Sequence, residues 1–320
     1  MKTTLALCLC GAALVATAAP AHAGHGTDLL KFAPEASQMV IVFDVADARD
    51  SSLLQKGYAA LLAAKPDAKA KMAAIGIDPM KDIDTVMIAG GSADSLDMDK
   101  VKNMVVVVEG RLPKDKLASL PDVKTSTYQG VTIYASKDSE AAMIDNRLFF
   151  AKSGQLKGEI DVVLGKGAGK GHNVAASKKA KALRDAIAAT DTTADMWATV
   201  LVPAKSQSNA QMPGVVAKTV SFGVNLTADL AIALKVGTNS AAAAKKAVET
   251  FQGQLVQVTQ MMGQFGLSAA AKSILVVNEG VYLKMGVTVS EAEINTIMGM
   301  AKGMMGGAGG STSPAKPATH

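Results

Sequence analysis

Two adjacent stretches constrain this chain most. Lys218 to Leu226 and Asp229 to Val236 alternate apolar and polar residues, with only a short turn between them. Side chains point to opposite faces of a strand with period two. The spacing therefore predicts an antiparallel pair in which Val220, Phe222 and Val224 share a covered face with Leu230, Ile232 and Leu234. Such a pair must be covered by a helix or a second layer.

The same turn chemistry recurs upstream. Gln129-Gly130 separates Thr125–Tyr128 from Val131–Tyr134, and Asp145-Asn146 separates Ala141–Ile144 from Arg147–Ala151, which reads as two hairpins. Further strands are expected at Met39–Asp44, Thr85–Ala89, Met104–Glu109 and Met196–Val202, with a last hairpin from Ser273–Asn278 and Val281–Val287. Helical spacing marks Leu54, Tyr58, Leu61 and Leu62 after a cap at Ser51 or Ser52, with Pro66 interrupting and residues 67–75 resuming. Helices are also expected at Pro113–Leu120, Gln155–Leu164, Ser177–Ala189, Thr238–Phe265 and Ser290–Met305, the last opened by Ser290 and Glu293 in capping-box spacing. The fold class is α+β, antiparallel sheet packed against helices.

The two halves share an order. A helix ending near Ile75 precedes Gly76-Ile77, Lys81-Asp82-Ile83, two strands and a short helix. A helix ending at Phe265 precedes Gly266-Leu267, Lys272-Ser273-Ile274, two strands and a final helix. This order predicts an internal duplication at a period of about 180 residues, giving two similar α+β lobes rather than a solenoid. The expected division is a signal segment at 1–23, a leader at 24–37, a first lobe at 38–164, a Gly/Lys-rich connector at 165–176, a second lobe at 177–305 and a Gly/Ser/Pro-rich disordered tail at 306–320.

Lys2, the apolar run Leu5–Ala19, Pro20 and the small-x-small ending at Ala23 have the form of a secretory signal peptide cleaved after Ala23. Cys8 and Cys10 lie inside it, so the expected mature chain of about 297 residues has no cysteine for disulfides, thiolate metal sites or thiol nucleophiles. A soluble periplasmic or secreted bacterial protein is the expectation. The chain carries 33 basic and 28 acidic residues, and this small, dispersed excess leaves no electrostatic footprint for nucleic acid.

The glycine stretch around Gly165, Lys166, Gly167, Gly169, Lys170 and Gly171 invites a phosphate-loop reading. The spacing fails, because the sixth position from Gly165 is Lys170, from Gly167 it is His172, and no Ser or Thr follows a Gly-Lys pair. A flexible connector is expected. His172 is the only internal histidine once His22, His25 and His320 are set aside, and no Gly-x-Ser-x-Gly elbow occurs, so no catalytic residue is assigned. No cofactor is assigned either. Asp94, Asp97 and Asp99 are weak candidates for a hard cation, better read as a solvated acidic loop. Met298, Met300, Met304 and Met305, with Met261 and Met262, are weak candidates for copper, better read as core or contact packing.

The stretch Gly76 to Val86, with its Gly-Ile-Asp-Pro and Asp-Ile pair, the Asp195-Met196-Trp197 triplet and Val220 to Leu226 resemble exported bacterial proteins of unknown function. The resemblance implies export and a two-lobe build and transfers no activity. The function expected is a soluble, non-catalytic envelope protein binding a protein partner or an apolar ligand. The alternatives are a hydrolase using carboxylates such as Asp78 and Asp82, or a copper-binding protein.

Overall fold

The computed structural model describes residues 25–64, 76–91, 102–119, 123–166, 171–207 and 215–306, with residues 70, 72 and 73 between them. The signal segment with Ala23, the acidic loop with Asp94, Asp97 and Asp99, Lys170 and the tail lie outside the described residues.

Among the described residues, twelve strands form one sheet. In chain order they are β1 (Met39–Asp44), β2 (Ile83–Gly91), β3 (Lys102–Gly110), β4 (Lys124–Tyr128), β5 (Val131–Ala135), β6 (Ser139–Ile144), β7 (Arg147–Lys152), β8 (Met196–Leu201), β9 (Ala217–Leu226), β10 (Leu230–Thr238), β11 (Leu275–Glu279) and β12 (Tyr282–Val289). Their spatial order is β11-β12-β10-β9-β8-β1-β2-β3-β7-β6-β5-β4. Every neighbouring pair is antiparallel. Among the described residues, the α-helices longer than four residues are α1 (Ser52–Ala64), α2 (Leu156–Leu164), α3 (Lys181–Ala188), α4 (Ala241–Gln264), α5 (Ser268–Ser273) and α6 (Glu291–Gly306).

The alternating pair forms as its pattern requires: Val220, Phe222 and Val224 sit opposite Val236, Leu234 and Ile232. The Gln129-Gly130 turn has φ of 49° and 82°, the doubly left-handed geometry that continues the twist of a two-residue hairpin. Ser51 caps α1 by accepting the N–H of Leu54 at 3.3 Å. Ser240 caps α4 by accepting that of Ala243 at 3.1 Å, which starts this helix three residues later than apolar periodicity alone places it. The expected helix at 113–120 is a 3-10 turn, Lys114–Ser119. The one at 177–189 splits into a 3-10 turn, Lys178–Ala180, and α3.

The expected two-lobe division does not appear as two sheets. The two halves do not form separate sheets, because β1 pairs with β2 on one side and with β8 on the other. Their strand orders also differ: β1, β2 and β3 run as neighbours, whereas β12 lies between β10 and β11. The main core accordingly draws on both halves, joining Val42, Met87, Ile133 and Phe149 to Leu183 and Trp197. A second, smaller cluster places Ala243, Ala247 and Val248 of α4 over Val276 and Leu283.

The leader segment is folded against the core. His25–Phe32 is a 3-10 helix, Leu29 is fully buried, and Phe32 meets Phe149 edge-on with centroids 5.4 Å apart. Leu29, Phe32 and Ala33 give this segment an apolar side to bury. It also holds the far end of the connector. Glu35 donates its N–H to His172 O at 3.0 Å, and Val174 donates its own to Ala33 O at 2.8 Å.

Candidate functional site

The sequence-level candidates are used locally. Asp78 caps the turn Pro79–Asp82 by accepting the Met80 N–H at 3.1 Å, and Asp82 accepts the Asp78 N–H at 2.7 Å. Two carboxylates of the hydrolase alternative thus spend themselves on one turn. Gly165 ends α2 in the left-handed conformation, with φ of 61°, where glycine meets no side-chain penalty.

His172 and Ser177 converge on Glu35. The imidazole Nδ1 and the Lys179 ammonium each lie 3.0 Å from Glu35 Oε1, and Ser177 donates its hydroxyl to Oε2. The Ser177 hydroxyl, the Lys179 ammonium and the imidazole together hold the Glu35 carboxyl down at about 2, against the opposing effect of burial. In a serine–histidine–carboxylate triad the imidazole stands between the serine and the carboxylate. Here serine donates to the carboxylate and also accepts the Lys179 N–H at 3.2 Å. The cluster fastens the connector to the N-terminal segment.

No group of three His, Cys, Asp or Glu residues able to hold a metal occurs among the described residues. Met298 is exposed and Met300 half-buried on α6. The side chains of Met304 and Met305, on the same helix, fall outside the described residues.

The distinctive feature is an apolar groove of about 430 Å³ between α4 and one sheet face. Ile232 and Leu234 of β10, Met285 and Val287 of β12 and Val276 of β11 form its floor. Phe251, Leu255, Val258 and Met262 form its roof, spaced at four, three and four residues so that they fall on one stripe of α4. Gln254 supplies the only polar side chain of the lining. The groove exists because α4 is seated unevenly. Its buried residues, Ala243, Ala244, Ala247 and Val248, all belong to its first half, whereas Val256 is 66% and Met261 53% exposed.

From Phe251 to Ala271 there is no charged residue, and glutamines at 252, 254, 257, 260 and 264 occupy positions where an exposed helix ordinarily carries Lys or Glu. The absence of charge around Met261 and Met262, rather than the two thioethers themselves, is what marks the groove in the sequence. Beyond the groove, Glu293 is buried and accepts the N–H groups of Ala269 at 2.9 Å and Ala270 at 3.0 Å, together with the Ser290 hydroxyl at 2.9 Å. The Ala270 N–H and its companions hold this carboxyl below its ordinary range, so one side chain ties the start of α5 to the start of α6.

On the opposite face lies a cavity of about 420 Å³ bordered by Lys235 and Lys284. Both ammonium groups are engaged by Glu279, at 3.6 and 2.7 Å, and Lys235 also donates to Ala189 O at 2.6 Å. A third cavity lies beside Glu35 and Lys179. None of the three brings two carboxylates together.

No family model matches the chain, and no curated protein matches it in sequence. Among solved structures, the chain is similar to crystal forms of the Treponema protein TP0453. Form III is 10% identical, with a TM-score of 0.49 over 85% of this chain and 97% of that one. Form I is 9% identical, with a TM-score of 0.47 over 89% of this chain and 98% of that one. No helix among the described residues is long and apolar enough to cross a membrane.

Proposed function

We propose that this chain is an exported, non-catalytic envelope protein that holds an apolar small molecule bearing a hydrocarbon chain in the groove between α4 and the sheet. The observation that carries the reading is the lining. Eleven of its twelve residues are apolar, and none is charged or nucleophilic. Its volume of about 430 Å³ falls within the span of small-molecule sites, about 300–1,000 Å³. Each methylene moved from water into such a lining gains about 0.8 kcal/mol, so a chain of about sixteen carbons supplies roughly 13 kcal/mol gross, from which association subtracts about 5 kcal/mol to leave the roughly −8 kcal/mol of micromolar binding. Export is supported by the form of the first 23 residues.

Titration of the mature protein with cis-parinaric acid, a fluorescent long-chain acid, tests this. Saturable micromolar binding is expected. Val258→Asp should weaken it on the order of tenfold or more, because a carboxylate would then border the buried chain. Val258 is 37% exposed, so that variant should melt close to wild type. Leu61→Asp, on α1 and outside the groove, should bind normally. Absence of saturable binding, or equal losses in both variants, contradicts the proposal.

A further inference from the structure

The half of α4 that roofs the groove is attached at its two ends. Gln252 donates its side-chain amide to Val276 O of β11 at 3.2 Å, the last side-chain hydrogen bond from α4 to the sheet among the described residues, and beyond it Leu255 still packs against the cluster of Val248, Val276 and Leu283. Gly253 follows at once, and a Cβ built there would meet nothing within 4 Å. No close approach or turn therefore calls for glycine at this position, although glycine is the weakest helix former apart from proline. What it supplies is backbone freedom, placed where the anchored and the standing-off halves meet. At the other end Gly266, with φ of 74°, breaks the chain before α5, whose first amides are fixed by Glu293. Between these points Leu255 and Met262 are only half-buried and Phe265 is 50% exposed. The side-chain hydrogen bond of Thr259 goes to Val256 O within the same segment.

We infer that residues 254–265 are a lid, hinged at Gly253 and Gly266, that swings off the sheet to admit the ligand and closes over it. This inference rests on the groove reading and adds to it how the site is entered. Closed, the lid covers the chain with Leu255, Val258 and Met262. Open, it exposes only uncharged residues, so no ion pair has to break.

Hydrogen–deuterium exchange on the ligand-free mature protein tests the lid independently of any ligand. Peptides covering 254–265 should exchange on the order of tenfold faster than those covering 243–252. Gly253→Ala should slow the faster set by about fivefold, since alanine stiffens an exposed helix without steric conflict. In stopped-flow mixing with cis-parinaric acid, the same variant should lower association and dissociation rates together and leave the equilibrium affinity near wild type. Equal exchange in the two halves of α4, with parinaric acid binding intact, overturns the lid alone. Rapid exchange without any saturable binding overturns the groove reading, and the lid as a gate falls with it.

Discussion

Trp197→Ala should destabilise the protein by about 3–5 kcal/mol, the range for truncating a fully buried aromatic side chain. Trp197 is 1% exposed and sits on β8, paired to Val42 of β1 and Gly223 of β9. It therefore stands where the two halves join, within the cluster that links Val42 and Met87 to Leu183 and Ile187. A domain of ordinary stability, about 5–15 kcal/mol, loses a large share of its margin from that one change. Calorimetry or circular dichroism should show the melting temperature falling by about 5–8 °C, given an unfolding entropy of roughly 0.6 kcal/mol/K for one cooperative unit of this size. The loss should appear in one cooperative transition. A small first transition followed by an unchanged second would mean that the halves fold separately and that the shared sheet does not couple them.

Glu159→Gln should act in the other direction, increasingly as pH rises above about 5. Glu159 lies on α2 with its Oε2 buried and without a hydrogen-bond partner in the described structure. Burial pushes its carboxyl up from 4.5 to about 7. Between those values the folded state holds a proton that the unfolded chain has released, so stability falls as pH rises through this window. From pH 5 to pH 8 the group removes about 2–3 kcal/mol, at 1.36 kcal/mol per pH unit of difference. Glutamine stays neutral throughout. Denaturant unfolding should thus show a wild-type stability that declines from pH 5 to 8 and a variant that declines less by that amount. Parallel curves would mean that the Glu159 carboxyl is not burial-shifted.

Much of the fold is legible in the chain because its signals are local. Alternation in β9 and β10, the Gln129-Gly130 turn and the Ser290/Glu293 capping box each act within a few residues, and the structure places each where expected. What escapes is long-range. The pairing of β1 with β8 depends on segments more than 150 residues apart, which periodicity does not encode. The likeness between the halves describes element order but not the swap that puts β12 between β10 and β11. Leu29, Phe32 and Ala33 look like a leader until a partner face exists to bury them. The groove was partly legible: the absence of charge from Phe251 to Ala271 is written in the sequence, but the loose seating that turns it into a site emerges only once Ala243 to Val248 are seen to anchor one end.

The central claim is that the face of α4 opposite β10, β11 and β12 holds a hydrocarbon chain, and photo-crosslinking tests it most directly. Protein lacking residues 1–23, incubated with a fatty acid carrying a diazirine near its methyl end, irradiated and digested, should carry the label on peptides containing Phe251 to Met262 and Ile274 to Val287. Excess unlabelled acid should remove it. Label scattered over the surface, confined to the cavity beside Lys235 and Lys284, or unaffected by competitor would contradict the account.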